Sequence, residues 1–356
     1  MKMKAIVKRL LVFGVIFLLP ASAALFAENA HVMPARTGRF FAAPSFITFD
    51  RNFDEDGNRT GAASTRMFNM GFAVEYGLNS WITAAVQWAP AFNLWSAVDT
   101  TLGAPSPLNI QSTSDARIAD MGDIFIGAKI QVIGLDAPSR SDRFRLAFGP
   151  GVKLPLPAPD FRAQLTNMRA GDPVTVATMD NHVFGVGLRS FFDFIVSEFF
   201  YINLFNEFIF YPQRGKFRDL GIQQAIMAQN TVLLSGLPDV GDFDVNFWYE
   251  LTFEIEPTFV HRLNAPMIML EAGLPLTHFF TPGYTVLNVP HGLPIPLMPQ
   301  DQGMVHRFSI GPNVSAFFMD WPVPMEFRLS YSFPVWGINT PVRHLVGLQI
   351  RAYFRM

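Results

Sequence analysis

Residues 191–211 read FFDFIVSEFFYINLFNEFIFY. The stretch is long and apolar enough for a membrane helix, yet Asp193, Glu198, Asn203, Asn206 and Glu207 interrupt it. On a helical wheel these polar groups point in several directions, and each is costly at mid-membrane. Two strands fit better. Arg189 and Asp193 share one face with Gly185 and Gly187, while Phe184, Val186, Leu188, Phe192 and Phe194 share the other. A tight turn at Val196, Ser197 and Glu198 reverses the chain. Beyond it Tyr201, Asn203 and Glu207 alternate with Ile202, Leu204, Phe208 and Phe210. Period two fits where period 3.6 fails. Asn206 alone falls on the apolar face, which predicts a bulge or an interfacial position there.

The same alternation recurs along the chain. In 245–260, Phe247, Tyr249, Leu251, Phe253, Ile255 and Phe259 alternate with Asn246, Trp248, Glu250, Thr252, Glu254 and Glu256. A soluble sandwich hides its apolar face under a second sheet. Here the opposite face is charged, and no further strands could supply a polar outer surface. The inverted logic of a transmembrane β-barrel fits: apolar side chains toward lipid, polar ones toward the lumen. Closure is required, because an open edge would leave unpaired backbone groups in hydrocarbon.

Twelve such segments are expected, at 39–50, 65–78, 81–93, 122–133, 142–155, 180–196, 199–211, 245–262, 265–277, 304–319, 323–335 and 343–355. Ten or fourteen would follow if 94–121 or 212–244 were read differently. Short links at 79–80, 134–141, 197–198, 263–264 and 320–322 alternate with longer ones, the pattern of periplasmic turns and extracellular loops. The final strand places Val346, Leu348, Ile350, Ala352 and Phe354 on one face. Such a strand is expected to address the chain to the barrel-assembly machinery.

Composition agrees. Half of the 356 residues are hydrophobic, 37 are Phe, and 16% are charged. The 27 basic and 29 acidic residues nearly balance, so no nucleic-acid footprint is visible. The first residues carry Lys2, Lys4, Lys8 and Arg9, then LLVFGVIFLL at 10–19, Pro20 and small residues. That is the pattern of a secretory signal peptide, residues 1–27, cut between Ala23 and Ala27. The expected mature chain, 28–356, is a single barrel domain in the outer membrane of a diderm bacterium, in contact with outer-membrane lipid. The chain has no Cys, so disulfides do not hold it together.

Projected inward, the pattern gives Glu75, Lys129, Arg143, Arg145, Lys153, Arg189, Asp193, Glu207, Glu250, Glu254, Glu256, Glu271, Arg307, Glu326, Arg328 and Arg351. These groups either form salt bridges that fill a narrow lumen or line a polar path and set its selectivity. The acidic stripe of Glu250, Glu254 and Glu256, with Glu207, and the basic residues Arg143, Arg145, Lys153, Arg307, Arg328 and Arg351 are the candidate selectivity residues. Two links are unusual. Residues 217–234 have helical composition, and 278–303 are rich in Pro and apolar side chains. Apolar loops of this kind suggest capture of a solute at the mouth, with Phe279, Phe280, Tyr284 and Leu287 as candidates.

Enzyme signatures are not found. There is no Gly-x-Ser-x-Gly and no His-Glu-x-x-His. The seven His are scattered in sequence without metal-ligand spacing. Asp54, Asp56, Gly57 and Asn58 are set as a polar turn, with the Gly misplaced for an EF-hand. No cofactor is expected.

The stretches ADMGDIFIGAKIQVIG at 119–134 and FRLAFGPGVKLPLP at 144–157 resemble an outer-membrane family, that of the meta-pathway phenol-degradation protein, distantly like the fatty-acid and toluene channels. The resemblance rests on Gly122 and Asp123 opening a strand, Gly127 with Lys129 within it, and Lys153, Leu154 and Pro155 closing the next. It implies uptake of small hydrophobic or aromatic molecules. The expected function is therefore a passive outer-membrane channel for such solutes. The alternative is a closed structural or adhesive barrel whose extracellular loops bind a partner surface.

Overall fold

The computed structural model describes residues 29–99, 117–118, 123–156, 175–176, 183–212, 215–218, 242–246, 248–264, 266–287 and 303–355. The predicted signal peptide and most of 212–244 lie outside them. Among the described residues every regular element is a strand.

Twelve strands form the wall. They are β1 (Thr37–Phe53), β2 (Arg59–Gly77), β3 (Ile82–Asp99), β4 (Asp123–Gly134), β5 (Phe144–Pro155) and β6 (Gly185–Ser197). The second half comprises β7 (Phe200–Tyr211), β8 (Trp248–Asn264), β9 (Met267–Gly273 and Leu276–Thr281), β10 (Val305–Ile310 and Asn313–Phe318), β11 (Met325–Ile338) and β12 (His344–Arg355). Each pairs antiparallel with its sequence neighbour. β12 returns to β1, from Thr37↔Arg355 to Thr48↔His344, and closes the cylinder. At that seam the Phe354 ring lies flat over Gly38, where a Cβ would collide with it. Each of the twelve strands thus has a partner on both sides, as hydrocarbon demands.

The outer face is apolar. Phe40, Phe46, Val74, Val86, Phe148, Leu188, Phe208, Phe253, Val314 and Val346 are all exposed on it. The residues between them are inward and buried, including Glu75, Asp193, Glu207, Glu254, Glu256 and Arg351. A closed barrel with this inverted pattern is an outer-membrane protein. β1 begins and β12 ends at the end with the turns at 78–81 and 198–199, the periplasmic end by the same rule.

The structure departs from the sequence reading at several points. β9 breaks at Leu274 and Pro275, and β10 breaks at Gly311 and Pro312, where proline supplies no N–H to the ladder. The hairpin turn falls at Glu198 and Phe199. Asn206 causes no bulge: it stays in the regular ladder opposite Ser190 and Phe253. β1 and β2 continue past the expected loop 51–64 to a tight turn at 54–58, with Gly57 at φ +80°. Phe279 and Phe280 belong to β9 rather than to a loop. Above the wall, Gly215–Arg218, Asp242–Val245 and Val286–Leu287 form a small three-stranded sheet.

Candidate functional site

The site is the lumen. Alternation dictates which side chains enter it, and ladder register dictates which of them meet. Among the described residues six ion pairs result. Arg39 meets Glu75 at 2.6 Å and Arg351 meets Glu326 at 2.9 Å near the periplasmic end. Tyr353 donates its hydroxyl to Glu326 at 2.7 Å. Arg145 meets Asp193 at 3.5 Å. Arg328 meets Glu256 at 2.8 Å, and Asn313 donates to the same oxygen at 2.7 Å. Arg189 holds Glu207 and Gln87 at mid-height. Toward the extracellular end Lys153 lies 3.0 Å from Asp123 and 2.7 Å from the Tyr211 hydroxyl, which donates to Glu250 at 3.0 Å.

Of the candidate selectivity residues, Glu207, Glu250, Glu254, Glu256, Arg145, Lys153, Arg307, Arg328 and Arg351 therefore sit on the lumen wall. Glu254 is 2% exposed and accepts from the Thr277 hydroxyl at 2.7 Å. Arg143 does not join them: it precedes β5 and is exposed at the periplasmic turn. Of the capture candidates, Phe279 points inward and is buried. Phe280 points outward and packs on Tyr249 and His306. Tyr284 lies between β9 and the small sheet, and Leu287 pairs with Asp244 within that sheet.

Between β2 and β7 the lumen opens into a small recess. Its wall is made of small residues on β3 to β5, among them Ala85, Gly127, Ala128 and Gly149, with Phe125, Phe191 and Phe205 as aromatic sides. Glycine costs strand stability, and here it makes room. A Cβ on Gly151 would run into the Phe125 ring, so that ring can lie against the wall only because the residue is Gly. Two cations cover the rings: the Arg189 guanidinium stands 3.8 Å from the Phe125 centroid, and the Lys129 ammonium stands 4.3 Å from that of Phe191.

Residues 29–34 enter the lumen from the periplasmic end and pack on Thr83, Lys129, Phe191 and Phe205, which also line this recess, an arrangement the sequence did not reveal. The Ala30 N–H donates to both Asp193 oxygens at 3.1 Å. Gln131 donates to the Ala30 carbonyl at 3.0 Å, Lys129 to that of Asn29 at 3.2 Å, and the Met33 N–H to the Thr83 hydroxyl at 2.8 Å. Ala30 is fully buried against Ala147, Phe191 and Phe205. Enclosure in the barrel holds the His31 imidazole below its usual value, helped by the Arg145 and Lys129 charges and partly offset by the Val32 carbonyl and Asp193.

His278 and His306, far apart in sequence, meet on the outer face with ring nitrogens 3.2 Å apart. Among the described residues no group of three or more potential ligands gathers for a metal ion.

No family profile matches the chain, and no curated protein matches it in sequence. Solved structures do match in fold. An outer membrane channel from Pseudomonas putida F1 is similar over 95% of this chain and 100% of that one, at 11% identity and a TM-score of 0.56. The beta domain of the Bordetella autotransporter Brka covers 90% of this chain and 100% of its own, at 10% identity and a TM-score of 0.41. The Pseudomonas putida toluene transporter TodX covers 95% of each, at 11% identity and a TM-score of 0.40. The first likeness shows a shared barrel fold.

Proposed function

We propose that this chain is a passive outer-membrane channel for small hydrophobic or aromatic solutes. The observation that carries the reading is the aromatic-sided recess in the lumen, kept open by glycines that a packed core would fill. A solute enters from the extracellular end, rests among Phe125, Phe191 and Phe205, and leaves when residues 29–34 swing away from Asp193. Diffusion down the gradient supplies the drive. The motif-based likeness to the phenol-degradation family points to the same solutes. The outer candidates Tyr284 and Leu287 stand by the small sheet over the mouth, where they would meet the solute first.

The six ion pairs favour a second reading, a sealed barrel that acts through its loops. Toluene uptake into proteoliposomes separates the two. The channel reading expects protein-dependent uptake that falls when Phe125 and Phe205 are both changed to Ala. Uptake no faster than in protein-free liposomes supports the sealed barrel.

A further inference from the structure

Nearly every charged group on the lumen wall has an opposite charge or a hydrogen-bonding neighbour, but two arginines at the extracellular end do not. Arg307, on the third residue of β10, is 6% exposed, and its Nη1 has no hydrogen-bond partner. Arg343, just before β12, is 8% exposed. Among the described residues no carboxylate pairs with either, and Thr340 and Pro341, in the link that carries Arg343, pack against the strand segment that holds Arg307. Burial lowers the Arg343 guanidinium to about 10. Two like charges held out of water without a counter-ion are costly, and the cost is relieved by an anion.

The position is built rather than accidental. The link carrying Arg343 is tied down: Val342 N–H donates to the Arg51 carbonyl at 2.8 Å, and Asn339 N–H donates to that of Asp54 at 3.1 Å. Opposite Arg307 in the ladder stands Gly337, which presents no side chain. The neighbouring Thr340 hydroxyl is buried without a partner as well. Arg307 also stands over the Phe279 ring at 5.1 Å, so a cation on a ring recurs down the lumen, at Arg307 with Phe279, Arg189 with Phe125 and Lys129 with Phe191. Each step offers a donor fork or ammonium beside an aromatic face, which suits a solute that is both anionic and aromatic.

We propose that Arg307 and Arg343 form a carboxylate-binding site at the extracellular mouth and that it takes small aromatic acids. This rests on the channel reading and adds small aromatic acids to its solutes. The test is equilibrium dialysis of the refolded full chain in detergent with radiolabelled benzoate, with acetate and inorganic phosphate as competitors. Benzoate should bind one to one. Arg307→Met or Arg343→Gln should weaken it by about tenfold to a hundredfold, the size of a lost charge-assisted hydrogen bond. Both variants should remain heat-modifiable on a gel, because each removes an uncompensated charge. If Arg307→Met fails to form the barrel, Arg343→Gln, outside the strands, carries the test. Unchanged benzoate binding in the variants, no binding in the parent, or phosphate competing as well as benzoate would each overturn the site. Toluene uptake measured on the same preparations reports separately on the channel reading.

Discussion

Asp193→Asn should loosen residues 29–34 from the lumen. Asp193 is fully buried and gathers the Ala30 N–H, the Asn203 amide at 2.8 Å and the Arg145 guanidinium. The amide keeps the shape and one acceptor but removes the charge. A charge-assisted hydrogen bond contributes about 1.5–3 kcal/mol and a neutral one about 0.5–1.5. The difference, about 1.4 kcal/mol, shifts the docked-to-undocked ratio by about tenfold. The chain has no Cys, so Asn29→Cys supplies a single reporter thiol at the docked end. Its maleimide labelling in refolded barrels should run about tenfold faster when Asp193→Asn is added, provided labelling is slower than re-docking. Equal rates with and without the charge would refute the idea that Asp193 holds the segment.

Acid should act the same way. His31 has its imidazole held down when docked, so docking is strongest above about pH 6.5 and weakens as pH falls below that, where the free segment binds the proton more readily. Labelling of Asn29→Cys, taken relative to the same reporter carrying His31→Ala, should rise between pH 7.5 and pH 5. A flat ratio would contradict it. Gly151→Ala should push the Phe125 ring into the recess, cost about 1–3 kcal/mol by overpacking, and slow toluene uptake while the barrel still forms; unchanged uptake would show that the recess is not on the path. Lys153→Met leaves Asp123 and Glu250 without their shared cation and should destabilise by about 3–5 kcal/mol in urea unfolding. Arg143→Ala, at an exposed turn, should stay within about 0.5 kcal/mol, and similar losses in the two would undo the distinction between lumen and rim.

The barrel was legible because lipid imposes period two on every strand, and alternation at Phe247 to Phe259 or along the last strand needs no partner to be seen. Inward charges such as Glu254 and Arg351 followed from phase alone. Their pairing did not, because whether Arg328 meets Glu256 depends on register across β8, β9, β10 and β11. His278 with His306 is likewise a product of the ladder. The breaks at Pro275 and Pro312 had a sequence signal, a proline without an N–H, which the continuous alternation around them concealed. Residues 29–34 carry no periodicity, and their place in the lumen is fixed by acceptors on β3 and β6 and donors on β4 that lie far along the chain.

Single-channel conductance across a planar bilayer tests the central claim most directly, comparing the refolded chain with a variant lacking residues 29–34. A path through the lumen predicts discrete steps, with longer or larger openings once residues 29–34 are removed. A silent bilayer with both proteins, each shown to be a folded barrel, would contradict it and leave the ion pairs as a permanent seal.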